Sequence, residues 1–170
     1  KDTIIRHEIK HDTIIQHPVI SYAQALSLLN DTSKADSGLK QMQFLSEKGS
    51  FDATYLLSRL YYKGEDYVDP YIKKIQKNCG IQCCNKKSHE LMKEAVELNS
   101  NNYKALYELG TDYLAGEKRT GIPNSESRKL PKSYNLLSKA LLLANKNRDS
   151  FYSQMIEQQI SRIPAKYKRR

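Results

Sequence analysis

Ala105-Leu106-Tyr107-Glu108-Leu109-Gly110-Thr111-Asp112-Tyr113-Leu114-Ala115-Gly116 decides the fold, because its pattern occurs once before, in Ala53, Leu57, Ser58, Tyr61 and Gly64. In each copy alanine is followed four positions on by leucine and a small residue, then by tyrosine and glycine at intervals of three. That is helical spacing: the apolar members share one face, the small residue admits a second helix closely, and the glycine is expected to end the helix. A duplicated helix of this kind is half of a helical-hairpin repeat, and such repeats serve as binding surfaces for other macromolecules.

Working outward, the first motif helix is expected over Phe51 to Tyr62 and the second over Tyr103 to Leu114. Each is followed by a connection and a return helix. Ser133, Leu136 and Ala140 match Ser88, Leu91 and Ala95 at an offset of 45, the second connection being the shorter. The return helices are therefore placed at Ser88 to Leu98 and from Pro131 onward. The first connection, Glu65 to Lys86, is long for a compact domain, and Tyr71, Ile72 and Ile75 could form a short helix inside it. Upstream, Ile20, Ala23, Leu26 and Leu28, then Leu39, Met42 and Leu45, have helical spacing on either side of a polar break, which makes a leading hairpin. Ser150 to Ile163, with Met155, Ile156 and Ile160, is expected to close the array.

Residues 1–17 contain an echo, Asp2-Thr3-Ile4-Ile5-Arg6-His7 and Asp12-Thr13-Ile14-Ile15-Gln16-His17, whose ten-residue period does not build a helical face. They are read as an N-terminal arm. A single domain then spans 18–164, with hairpins at about 18–48, 51–98 and 103–144, followed by a basic tail at 165–170. The fold class expected is all-α, an α-solenoid of antiparallel helix hairpins.

The order alanine, leucine-small, tyrosine, glycine, connection and alanine-bearing return helix resembles the Sel1-like repeat family of tetratricopeptide-like hairpins, over about residues 37–144. Ala105, Leu109, Gly110, Tyr113 and Gly116 carry the resemblance, and the first copy departs from it by Ser58. The resemblance implies right-handed stacking of helix pairs and a concave face lined by the first helix of each. It places Tyr55, Arg59, Tyr62 and Lys63 of one copy and Tyr107, Thr111 and Leu114 of the other in that groove as partner-binding residues. Some bacterial members neutralise secreted toxins, including phospholipases delivered between cells, so an immunity role is one implied alternative.

Catalytic patterns do not stand out. The sequence lacks a glycine-rich phosphate loop, a histidine-glutamate metal helix and a nucleophile elbow, and the chain is read as a non-enzyme without a cofactor. Asp52, Asp66, Asp69, Glu90, Glu94 and Glu108 are assigned to helix starts, loops and solvent faces. Cys79, Cys83 and Cys84 with His89 are the nearest approach to a metal set, but adjacent cysteines suit one zinc ion poorly. A short disulfide from Cys79 to Cys83 or Cys84 is the favoured reading, with reduced buried thiols its rival. His7, His11 and His17 would share a face only in a helical arm, so no metal is expected there either.

The net charge is +9, from 28 Lys and Arg against 19 Asp and Glu, which favours an acidic partner. Much of it lies in the loops (Lys118, Arg119, Arg128, Lys129, Lys132) and in the tail, where solvated cations are the expectation. Nucleic acid or anionic lipid is the alternative class of partner, and Tyr167 among Lys166, Lys168 and Arg169 is the one compact basic-aromatic group that would suit it. No run reaches the length of a membrane span. The clustered cysteines and the first residue Lys1 tilt the expectation toward export over the cytoplasm. The expected partner is a protein with an acidic surface.

Overall fold

The computed structural model describes residues 20–64 and 69–168, and all regular structure among them is helical. The helices are α1 (Tyr22–Asn30), α2 (Ala35–Glu47), α3 (Phe51–Tyr61), α4 (Pro70–Asn78), α5 (Asn85–Leu98), α6 (Tyr103–Ala115), α7 (Glu117–Thr120), α8 (Asn124–Ser127), α9 (Leu130–Lys146) and α10 (Ser150–Ser161), with a 3-10 turn at Ala165–Tyr167. The arm at 1–17, with His7, His11 and His17, and Asp66 in the first connection lie outside the described residues.

Helices pack in chain order. α1 lies on α2, α3 on α5 and α6 on α9; α2 meets α3, α5 meets α6, and α10 covers α9. Ser21 and Gln24 form a reciprocal capping box on α1, while Ser50 and Asn102 cap the two motif helices through their side-chain oxygens. Each cap satisfies amides that the helix cannot pair internally, a gain of about 1 kcal/mol.

The two copies match at atoms the sequence pattern does not name. The amide before each return helix donates to the carbonyl of the motif tyrosine, Cys84 N to Tyr61 O at 2.8 Å and Lys129 N to Tyr113 O at 3.1 Å. One turn on, a lysine stands over the same tyrosine ring, Lys87 over Tyr61 at 4.1 Å and Lys132 over Tyr113 at 4.7 Å. Ser58 and Gly110 are both buried at the seam with the return helix. A Cβ on Gly110 would stand 2.8 Å from Leu137 Cγ, and the bare backbone there accepts a hydrogen bond from Ser133 Oγ at 2.7 Å. Ser58 instead returns its hydroxyl to its own helix, donating to Tyr55 O at 2.7 Å. The leading hairpin has the same device on its second helix, where Gly38 lets α1 come close.

The copies part at their ends. Gly116 closes α6 at φ 63°, ψ −132°, a conformation glycine alone adopts easily. The expected equivalent, Gly64, does not do this: α3 ends at Tyr62 in extended backbone, and Gly64 instead leaves room for the Tyr62 ring, which a Cβ would strike. The first connection holds α4, capped by Asp69 with Pro70 in its first turn. From it, Gln76 Nε2 donates to Leu60 O and Tyr62 O at 2.9 and 3.0 Å, while Asn78 Nδ2 donates to Leu29 O at 3.2 Å. The long connection thus satisfies the carbonyls that α1 and α3 leave unpaired.

The buried faces of α1 and α5 depart from the apolar spacing by one or two residues. Ala25 and Leu29 are buried in α1 where Ala23 and Leu28 were expected, Met92 in α5 in place of Leu91, and Leu98 is 42% exposed. The apolar core falls into one cluster among α1 to α4, a second among α6, α9 and α10, and a small third (Met92, Ala105, Leu109, Tyr113) between them. The 3-10 turn, the first part of the expected basic tail, packs on α9 through Tyr167.

Candidate functional site

Where the two copies meet, four ionisable side chains are buried together. Arg119 Nη2 donates to Glu108 Oε2 at 2.7 Å and Arg119 Nε to Asp112 Oδ1 at 2.9 Å; Asp112 Oδ2 lies 2.8 Å from His89 Nδ1. Their exposures are 4% for His89, 5% for Asp112 and 8% for Glu108 and Arg119, which puts them in a low-dielectric interior where a pair is strong and an unpaired charge is costly. Burial alone would pull the Arg119 guanidinium down, but Glu108 and Asp112 outweigh it and hold the group above the ordinary arginine value. The Tyr62 ring lies 4.6 Å from the same guanidinium, and the Tyr113 ring meets His89 edge-on at 5.3 Å. α3 and α5 of the first copy are thereby bonded to α6 and α7 of the second.

Local structure brings these residues in. Glu108 and Asp112 are four apart on one face of α6, a helix buried along its whole middle. Gly116 and Gly121, both at positive φ, turn the chain sharply at either end of α7 and fold Arg119 back under that face. This corrects two expectations: Arg119 is not a solvated loop cation, and Glu108 is not a solvent-face carboxylate. It also gives His89 a place apart from the cysteines. The signal available in the sequence was the Glu108-Asp112 spacing with a cation one short turn beyond.

Beside the network is a cavity of about 50 Å³, lined by Ser58, Arg59, Tyr62, Glu108, Asp112 and Arg119 among others. That volume has room for a few waters. Arg59 enters it from α3, paired with Asp69 Oδ2 at 3.0 Å and 6.0 Å from the Tyr55 ring. Burial opposes its charge as well, and Tyr55, Glu108 and Asp69 more than restore it. The carboxylates and guanidinium are committed to one another and Ser58 to a backbone carbonyl, so the geometry holds two hairpins in a fixed relation.

Of the seven residues expected in the groove, Tyr55, Arg59 and Tyr62 are half-buried on this side of α3, and Lys63 is exposed just beyond its end. Tyr107, Thr111 and Leu114 are largely buried, at 7%, 6% and 7% exposure, where α10 packs onto the α6/α9 hairpin. Leu114 belongs to the core with Leu137 and Ala144, and Tyr107 packs edge-on against Tyr152 at 5.8 Å. Tyr107 and Thr111 form the floor of a groove of about 310 Å³ walled by Lys118, Gln159 and Arg162.

The cysteines are free thiols, so the expected bridge is not formed in this structure. Cys79 is buried and donates to Ile75 O at 3.0 Å, Cys83 accepts from Gln76 Nε2 at 3.6 Å, and Cys84 is exposed. Burial raises the Cys79 thiol, which keeps it protonated and unreactive near neutral pH. Among the described residues no three His, Cys, Asp or Glu side chains converge on a point, and no helix is long and apolar enough to cross a membrane. Compared with known proteins, the chain matches no family model, no curated protein and no solved structure, so the reading of its surfaces rests on their own geometry.

Proposed function

We propose that the chain is a non-enzymatic, Sel1-like helical-hairpin scaffold, a short α-solenoid, that binds a partner protein with an acidic surface. The observation that carries this reading is the repetition at atomic level: the same amide-to-tyrosine hydrogen bond and the same lysine over the same ring recur in both copies. A unit repeated with its seam intact stacks on its neighbour and presents a continuous outer surface, the usual basis of recognition by such arrays. The net charge of +9 supplies complementarity to an acidic partner. On the α3 side, Tyr55, Arg59, Tyr62 and Lys63 offer the aromatic and cationic types found at binding hot spots.

The test is to capture the partner from cells that make the chain, purify the pair and measure its affinity. Lys63→Glu, which alters an exposed side chain, should weaken a protein partner by about 1 to 3 kcal/mol without moving the melting temperature appreciably, and Arg59→Gln should weaken it similarly while costing about 1 kcal/mol or less of stability. Binding that ignores both substitutions and disappears with modest added salt would mark a phosphate-driven association and sink the reading.

A further inference from the structure

The fold brings together cations that are far apart in sequence. Arg128, Lys129 and Lys132, at the start of α9, stand around one broad cleft of about 860 Å³ with Lys166 from the C-terminal 3-10 turn. All four are exposed, no described Asp or Glu lines the cleft, and none of the four stands within ion-pair distance of a described carboxylate. Elsewhere the buried cation Arg119 and the half-buried Arg59 have their carboxylates in place. Among the described residues this cleft gathers four positive charges without a counter-charge on its lining, which raises the local concentration of an anionic partner.

The floor decides which anion. Apart from the cations the cleft is lined by Leu130, Pro131 and Pro164, by the small polar side chains of Asn124 and Ser125, and by one ring, Tyr167, whose face is covered by Lys166 Nζ at 4.9 Å. Single-stranded nucleic acid is held by successive open aromatic faces on which bases stack, and this lining is aliphatic and small-polar with its one ring covered by Lys166. An aliphatic floor with a cationic rim matches a peptide in which acidic residues flank apolar ones. We propose that the cleft between the start of α9 and the 3-10 turn docks an acidic peptide segment carrying apolar side chains. The proposal takes the class of its occupant from the scaffold reading above and adds a second surface, away from Arg59 and Lys63, with a defined chemistry.

The experiment is fluorescence anisotropy on the whole chain with a labelled peptide alternating glutamate and leucine. A glutamate-serine peptide and an oligouridylate of equal charge serve as comparators. The glutamate-leucine peptide should bind most tightly. Lys129→Glu with Lys132→Glu should weaken it by about tenfold or more, and so should Arg128→Glu with Lys166→Glu, which alters only exposed side chains outside the Tyr113 contact. Equal binding to the wild type and both variants overturns the proposal, as does a glutamate-serine peptide that binds as well. If the peptide fails while a captured partner still depends on Arg59 and Lys63, the cleft assignment falls and the scaffold reading stands. Tighter binding of the oligouridylate overturns both.

Discussion

The two copies of the motif use the same seam and different outer fastenings. In the first, Arg59 of α3 reaches Asp69 at the head of α4, with 22% and 26% of the two side chains exposed. In the second, Arg119 of α7 turns inward to Glu108 and Asp112, with 9%, 10% and 7% exposed, and reaches across to Tyr62 and, through Asp112, His89 of the first copy. Packing positions recur because every hairpin must close on itself. Connections diverge because each closes onto different neighbours, and there the second copy gains what the first lacks: a buried polar lock that holds it against the first.

Breaking the two fastenings should give unequal results. Arg119→Met leaves two buried carboxylates without their cation and should cost about 3 to 5 kcal/mol in urea denaturation. Arg59→Met removes a half-exposed pair and should cost about 1 kcal/mol or less. Equal losses would mean that the buried cluster has no special role.

The seams should also differ under substitution. Gly110→Leu forces a side chain against Leu137 and removes the close approach of α6 and α9, with an expected loss of about 1 to 3 kcal/mol by overpacking. Ser58→Ala gives up one hydroxyl bond to Tyr55 O and should cost about 0.5 to 1.5 kcal/mol. The reverse order in thermal melts would contradict the equivalence of the two positions.

Much of this was legible in the sequence. The motif helices, the closing helix and the existence of α4 follow from spacing and capping residues, because apolar periodicity and helix ends are local properties. The shift of the buried faces of α1 and α5 by one or two residues was not, since Ala23 against Ala25 and Leu91 against Met92 are choices made by the neighbouring helix. The lock was not legible either. Exposed loop cations and buried ones look alike in sequence, and Arg119 is buried only because Gly116 and Gly121 at φ 63° and 64° fold α7 back. Likewise, burial of Tyr107, Thr111 and Leu114 depends on α10, whose position no pattern within α6 encodes. The cleft at the start of α9 joins segments whose charges read separately as solvated loop and tail.

The ends of α2 and α9 offer a smaller comparison. Both close through a left-handed residue, Gly49 at φ 81° and Arg148 at φ 57°. The glycine adopts that conformation without strain and the arginine does not, so Arg148→Gly should stabilise the chain by about 0.5 to 1 kcal/mol, read as a rise in denaturation midpoint.

The smallest expected effect distinguishes the helix caps by pH. Ser50 and Asn102 do not titrate, whereas Asp149 caps α10, and the Tyr152 amide and the Tyr103 hydroxyl at 2.7 Å hold it below the ordinary 3.8. A carboxylate lowered by folding stabilises above its unfolded value, and that contribution is lost as pH falls through the folded one. The stability difference between wild type and Asp149→Asn should therefore be constant near neutrality and shrink as pH drops below 3.8. A constant difference throughout would show that the charge is idle.

The central claim is that the buried cluster around Arg119 makes the two copies one cooperative unit. Site-resolved amide hydrogen exchange tests it most directly. In the wild type the slowest amides of α3, α5, α6 and α9 should share one opening free energy, and in Arg119→Met those of α3 and α5 should separate from those of α6 and α9. Two separate groups already in the wild type, or a uniform fall across all four helices in the variant, would contradict the account.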